Sequence, residues 1–195
     1  ISGFSSFGLA ADLSLKPNIG GPGGGIFSSY PLEQGGAATL SGTSMSSPHV
    51  AGGVALLLEA KPNLRPAAIL ARLQNSADPK NWSLGPSLGL LDHAFRQGAG
   101  MMDVIGALDA TTTIEPGQIS VGESEAEPRW FKVRIRNNSK QDIKYTFSHE
   151  PAVAAGPNTM PGASYNITGV FDAPATVVFD RTELGVSAGT YWDFE

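Results

Sequence analysis

Residues Leu40 to Gly53 read LSGTSMSSPHVAGG, and a helical apolar pattern starts inside this stretch. Val50, Val54, Leu57 and Leu58 recur at i, i+4, i+7 and i+8, one stripe of a helix. The spacing predicts a helix from Ser44 to about Lys61, stopping before Pro62. Gly42, Ser46, Ser47, Ala51, Gly52 and Gly53 are small enough to let it lie close to a neighbouring sheet. Pro48 is tolerated because it falls near the first turn. Ser44 is thereby placed at a helix N-terminus, where backbone N–H groups lack partners and the macrodipole is positive. Both favour negative charge, including the oxyanion formed when a serine attacks a carbonyl.

Downstream, Pro66 opens a second helix, whose buried side is expected to be Ile69, Leu70 and Leu73. Arg65 stands where a capping Ser or Thr would be, so the cap is weaker or supplied elsewhere. Asn75 to Leu91 is polar and turn-rich. Upstream, Ile1 to Gly8 reads as a strand running into a turn, Leu13 to Lys16 alternates and stops at Pro17, and Ile26 to Tyr30 reads as a strand ended by Pro31. Asn18 to Gly25, NIGGPGGG, reads as a tight turn. It is not a phosphate loop, because no Lys-Ser/Thr follows it.

GTSMSSPHVAG, Gly42 to Gly52, resembles the serine motif of the subtilisin-like proteases, the subtilases. Eleven consecutive residues fit. The flanks resemble the same family: FSSFG (4–8) with KPNIGGPGGGIFSSYP (16–31) before it, and QGAGMMDVIGAL (97–108) after it, a Gly-x-Gly turn leading into a short helix. Gly21 is a mild departure, since Ala is common there in the family. The resemblance implies the C-terminal portion of an α/β domain with a largely parallel sheet, ending near Ala110. It implies Ser44 as the nucleophile of a serine endopeptidase. The Ser44 backbone N–H, helped by the Thr43 hydroxyl, would be the remaining share of the oxyanion hole.

After Thr113 the period changes. Phe131, Val133 and Ile135 alternate with Lys132, Arg134 and Arg136, and Ile143, Tyr145 and Phe147 alternate likewise, across a turn at Asn137 to Asp142. Asn166 to Phe171 and Ala175 to Phe179 read as further strands, and Tyr191 to Phe194 as one more or as a truncated end. Short strands between Pro/Gly/Asn turns predict an antiparallel sandwich over 111–195, behind the protease portion at 1–110. By position and pattern this half resembles the fibronectin-III-like domain that follows the catalytic domain in cell-envelope and some fungal subtilases.

A serine hydroxyl needs a base, and the base an orienting carboxylate. Only His49, His93 and His149 are available. His49 is five residues past Ser44, about 140° around a helix, so it cannot face the hydroxyl. It reads as packed and hydrogen-bonded, and the family's histidine there is not the base. His93 and His149 read as surface or packing residues. The family order is Asp, His, Ser, and neither an H-G-T-H-V-A-G-like motif nor the aspartate motif precedes Ser44. Asn18 has the wrong context for the family's side-chain oxyanion donor. The resemblance thus implies a C-terminal piece holding one of three triad members, with the N-terminal part of the protease domain as its partner. Met45 abuts the nucleophile, where a sulfoxide would add bulk and polarity; ordinary core packing accounts for it equally.

Other chemistries fit less well. An α/β-hydrolase elbow needs G-x-S-x-G, but Ser46 occupies the second glycine's place, and Asp78 or Asp92 with His93 would have to complete it. An S-x-x-K site fails at Ser47. No spacing suggests a transition-metal site and no cofactor is expected, while calcium leaves too weak a signal to read. Net charge is −5 without a basic cluster, which argues against nucleic acid, and no apolar run has the length of a membrane helix. With 195 residues and no cysteine, the chain builds its core without disulfides. Absence of a signal peptide and a start at Ile1 read as a mature, processed or truncated piece, secreted or cell-envelope-associated. Three sequons, at Asn81, Asn137 and Asn166, lend secretion weak support. A non-enzymatic reading is the alternative: a fragment or pseudoenzyme whose sandwich binds or spaces.

Overall fold

The computed structural model describes residues 1–6, 8–83, 85–122, 128–153 and 176–195. The first half starts with two hairpins. β1 (Gly8–Leu9) pairs antiparallel with β2 (Leu15–Lys16), and β3 (Ile26–Ser29) pairs antiparallel with β4 (Ala37–Leu40). Gly35 and Gly36, both at positive φ, close the turn into β4, a backbone region that glycine enters without Cβ strain. Helix α1 (Thr43–Ala60) follows after two residues, then α2 (Pro66–Ser76), the single-turn α3 (Ala94–Gln97) and α4 (Val104–Asp109). Arg65 provides no side-chain cap to α2, as its sequence implies, whereas the Asp103 carboxylate caps α4 by accepting from the Gly106 N–H at 2.9 Å.

One core lies between the helices. Leu57 of α1 meets Ile69 and Leu73 of α2 and Ala107 of α4, with Ile19, Val54, Leu64, Met102 and Leu108 packed around them. Leu58 and Leu70, expected in the stripes, are instead 36% and 40% exposed. The buried stripe of α1 is narrow: Leu57 packs on α2 and α4, while Leu56 on its other side is 54% exposed.

The second half is antiparallel, as its alternation predicts. β5 (Thr112–Glu115), β6 (Val133–Asn137) and β9 (Tyr191–Phe194) form one sheet in the order β5-β6-β9, and β7 (Ile143–Thr146) pairs with β8 (Glu183–Val186). Ile135, Leu184, Val186 and Phe194 make a second core, completed by Ile114, Val133, Tyr145, Phe147 and Phe179. The Phe147 ring stacks on Phe194 at 4.4 Å. β5 belongs to both halves: Ile114 packs on this core while its backbone exchanges two hydrogen bonds with the Asn75 side chain of α2, at 2.7 and 3.1 Å.

Three expectations need correction. Among the described residues every ladder is antiparallel, and parallel pairing occurs only as the isolated bridges Gly20–Met101 and Leu91–Ala152. Hairpins are local, whereas a parallel ladder needs a crossover between its strands. Ile1 to Ser6 is irregular, and a strand is present only at Gly8–Leu9. Residues 176–179 are not a strand, although Phe179 is held at 5.6 Å from the Phe147 ring. The strand expected at Asn166 to Phe171, and its sequon, fall outside the described residues.

Candidate active site

Ser44 is the second residue of α1 and is exposed. Gly42 is the N-cap and offers no side chain, so the Ser44 N–H has no side-chain cap, while the Met45 N–H donates to the Gly42 carbonyl at 3.1 Å. Pro48 lies in the second turn, one step deeper than its sequence reading. It lacks the N–H that would bond the Ser44 carbonyl, so the helix is loosened at this residue.

The start of α1 is seated on the glycine-rich segment. The Ser46 hydroxyl donates to the Gly21 carbonyl at 2.8 Å, the Gly42 N–H donates to the Gly23 carbonyl at 2.8 Å, and the Gly25 N–H donates to the Ser41 hydroxyl at 2.8 Å. A methyl group at Gly23 would lie 2.8 Å from the Gly42 carbonyl oxygen, and one at Gly21 would lie 2.8 Å from Val50 Cγ2. The glycines are there for close approach as well as for a turn. Read as a turn, the segment hides this role, although the small residues facing it in the serine motif carry the matching signal.

Two hollows flank the helix start. Ser44 opens on one of about 720 Å³, walled by Leu40, Met45, His49, Leu56 and Met102. Thr43, Ser46 and Ser47 line the other, of about 1040 Å³, against the backbone of Gly20 to Gly24. Ser44 and Thr43 therefore sit at one helix end but on different hollows. Met45 is half-buried in the Ser44 wall.

None of the three histidines hydrogen-bonds to Ser44. His49 donates from Nδ1 to the Met45 carbonyl at 2.9 Å; it is bonded, as expected, but exposed rather than packed. His149 is exposed. His93 is 1% exposed beside a fully buried Asp92, and its Nδ1 lies 3.1 Å from Asp92 Oδ1. Burial pushes the Asp92 carboxyl up, but hydrogen bonds from the His93 ring and amide, with the Arg96 charge, hold it below its ordinary value. The structure thus joins Asp92 to His93, but neither lines the Ser44 hollow, and the α/β-hydrolase arrangement is not assembled. This burial leaves no spacing pattern in the sequence, since the donors to Asp92 Oδ1, His93 and Arg96, are local.

Among the described residues no group of three or more His, Cys, Asp or Glu side chains could hold a metal ion, and no helix is long and apolar enough to cross a membrane. Of the sequons, Asn81 is exposed. Asn137 is fully buried, and its amide nitrogen donates to the Gln141 and Val186 carbonyls at 2.8 and 2.9 Å.

The family model described as the subtilase family matches residues 1–100. The minor extracellular protease Vpr of Bacillus subtilis (strain 168) is 29% identical over 203 residues, covering 97% of this chain and 25% of Vpr. The PI-type proteinase of Lactococcus lactis subsp. cremoris is 30% identical over 204 residues, covering 93% of this chain and 10% of that protein. Pyrolysin of Pyrococcus furiosus is 55% identical over 58 residues, 30% of this chain and 4% of pyrolysin. The chain spans a quarter or less of the length of these relatives, and the first two similarities run on beyond residue 100 into the β-rich half.

Proposed function

Since the chain belongs to the subtilase family, we propose that its parent protein is a serine endopeptidase that cleaves peptide bonds through an acyl-enzyme on Ser44. One observation carries the reading: Ser44 is exposed at the second position of α1, on a hollow with apolar walls. Its Oγ adds to the substrate carbonyl carbon and gives its proton to a base. The oxyanion is stabilised by the Ser44 N–H at the positive end of α1; the Thr43 hydroxyl lines the other hollow and would have to turn toward this one to serve as second donor. The base then protonates the leaving amine, the C–N bond breaks, and water hydrolyses the ester.

The base and its carboxylate come from the N-terminal part of the protease domain, the missing partner in this proposal. That reading draws on the absence of any histidine bonded to Ser44 and on the apolar surface left around α1. Leu56 and Leu58 of α1 are 54% and 36% exposed, surface that a covering element would bury. Residues 1–110 are the C-terminal portion of that domain, and 111–195 form a fibronectin-III-like module; the separate second core supports the division. Vpr is named an extracellular protease, and secretion or attachment to the cell envelope is proposed on the same footing.

Peptide hydrolysis by the parent and by its Ser44→Ala variant tests the proposal. Loss of a nucleophile of this type costs on the order of 10⁶-fold in kcat. Unchanged hydrolysis by the variant would remove Ser44 from the mechanism. The isolated 195-residue chain is expected to turn over no peptide; robust turnover would remove the need for outside partners.

A further inference from the structure

We propose that Gln118, beyond the protease portion, is a positioning residue for the Ser44 nucleophile. The inference rests on Ser44 being that nucleophile. Gln118 is half-buried where three parts of the chain meet. Its Oε1 accepts from Gln74 Nε2 of α2 at 2.8 Å and from Asn18 Nδ2 at 3.2 Å. Its Nε2 donates to the Leu15 carbonyl of β2 at 2.9 Å. The Leu15 N–H in turn donates to the Ser120 hydroxyl at 2.9 Å. The segment holding Gln118 is pressed close: a methyl group at Gly117 would lie 2.8 Å from Gln74 Oε1. One side chain thus ties both ends of Leu15 to Asn18 to α2, adding to the Ser120 hydroxyl, the β1 ladder and the Ala99 N–H that also hold this segment.

Those residues lead directly into the seat of α1. A methyl group at Gly98 would lie 2.4 Å from the Pro17 carbonyl oxygen, so Pro17 and Asn18 have no slack on that side. The Gly20 N–H donates to Gly100 O at 2.8 Å, and the Met102 N–H donates back to Gly20 O at 2.9 Å. Gly21 and Gly23 then receive the Ser46 hydroxyl and the Gly42 N–H, on either side of Ser44. A shift at Asn18 has few ways to dissipate before it reaches the helix start. The β-rich half is thus part of the support of the nucleophile, and Gln118 is the contact that reaches both Leu15 and Asn18.

The test uses the full parent protein and the rate at which a fluorophosphonate labels Ser44. Gln118→Leu removes both the acceptor and the donor; Gln118→Glu keeps the acceptor for Asn18 and Gln74. Misplacement of a reacting group from a distance lowers rates by up to about 100-fold, and roughly ten-fold slower labelling is expected for Gln118→Leu. Gln118→Glu should fall between it and the wild type, and for peptide substrates kcat should fall while KM holds. Ile135→Val, which loosens the second core without touching Gln118, should label at the wild-type rate. Wild-type labelling in both Gln118 variants, or equal slowing by Ile135→Val, overturns the inference and leaves Ser44 as nucleophile. Failure of the wild type to label at Ser44 would instead refute the nucleophile, and this inference with it.

Discussion

Adding a single methyl group at Gly23 tests how the helix start is held. No left-handed φ marks Gly23, so alanine can adopt its backbone, and the effect is one of space. The new Cβ would lie 2.8 Å from the Gly42 carbonyl oxygen and 3.0 Å from Ser46 Cβ. Ordinary contact needs roughly half an ångström more. Gly42 is backbone and is tied to Gly23 by its own N–H at 2.8 Å, so relief means prising α1 from its seat. Overpacking of this kind costs about 1–3 kcal/mol. The smaller freedom of alanine in the unfolded chain offsets about 0.4–1 kcal/mol. Gly23→Ala should therefore destabilise by about 1–2 kcal/mol. Gly52 is the matched control, inside α1 with nothing within 4 Å of an added Cβ, and Gly52→Ala should stabilise by about 1 kcal/mol through helix propensity. Urea unfolding followed by helical circular dichroism, at equal m-values, reads the difference. The midpoint of Gly23→Ala should fall below the wild type and that of Gly52→Ala should rise above it. A Gly23→Ala midpoint at or above that of Gly52→Ala would refute the close seating of α1.

Three further outcomes follow from the same contacts. Leu57 is fully buried between α2 and α4, so Leu57→Ala should cost about 2–5 kcal/mol in urea unfolding. Arg134 donates two hydrogen bonds to Asp193, at 2.7 and 2.8 Å, and holds that carboxyl below its ordinary value. A depressed folded pKa gives stability that is present above the unfolded value, about 3.9, and lost as pH falls through the folded one. Asp193→Asn should accordingly make the acid limb of stability against pH shallower, measured by thermal unfolding from pH 6 to about 2. Met45 and Met102 both wall the Ser44 hollow, so peroxide treatment should slow fluorophosphonate labelling of the parent, and Met45→Ala should be slowed less than the wild type.

The serine stretch was the most legible part of the sequence. Its stripe placed α1 within one residue of the observed Thr43–Ala60, because a small-residue entry and Pro62 bound it on both sides. Pro66, the Gly98-Ala99-Gly100 turn, and the alternation in β6 and β7 were equally readable. β4 and β8 were not: Ala-Ala-Thr-Leu carries little alternation, and Glu-Leu-Gly-Val alternates but over only four residues, too short a run to stand out from its surroundings. Leu58 and Leu70 fit an apolar stripe but lie partly exposed, since periodicity reports which face is apolar and not how much of it is covered. At the site, the position of Ser44 could be read from its neighbours. The seat at Gly21 and Gly23, the burial of Asp92 with His93, and the reach of Gln118 to Asn18 and Leu15 join residues distant in sequence or satisfied locally, and neither kind of contact has a period.

The most direct measurement is the site of a covalent adduct. The parent protein is treated with a fluorophosphonate, digested, and the modified peptide is sequenced by mass spectrometry. The account predicts one phosphonylated residue, Ser44, and no adduct in the Ser44→Ala variant. An adduct on another serine with Ser44 unmodified, or undiminished labelling of Ser44→Ala, would contradict it.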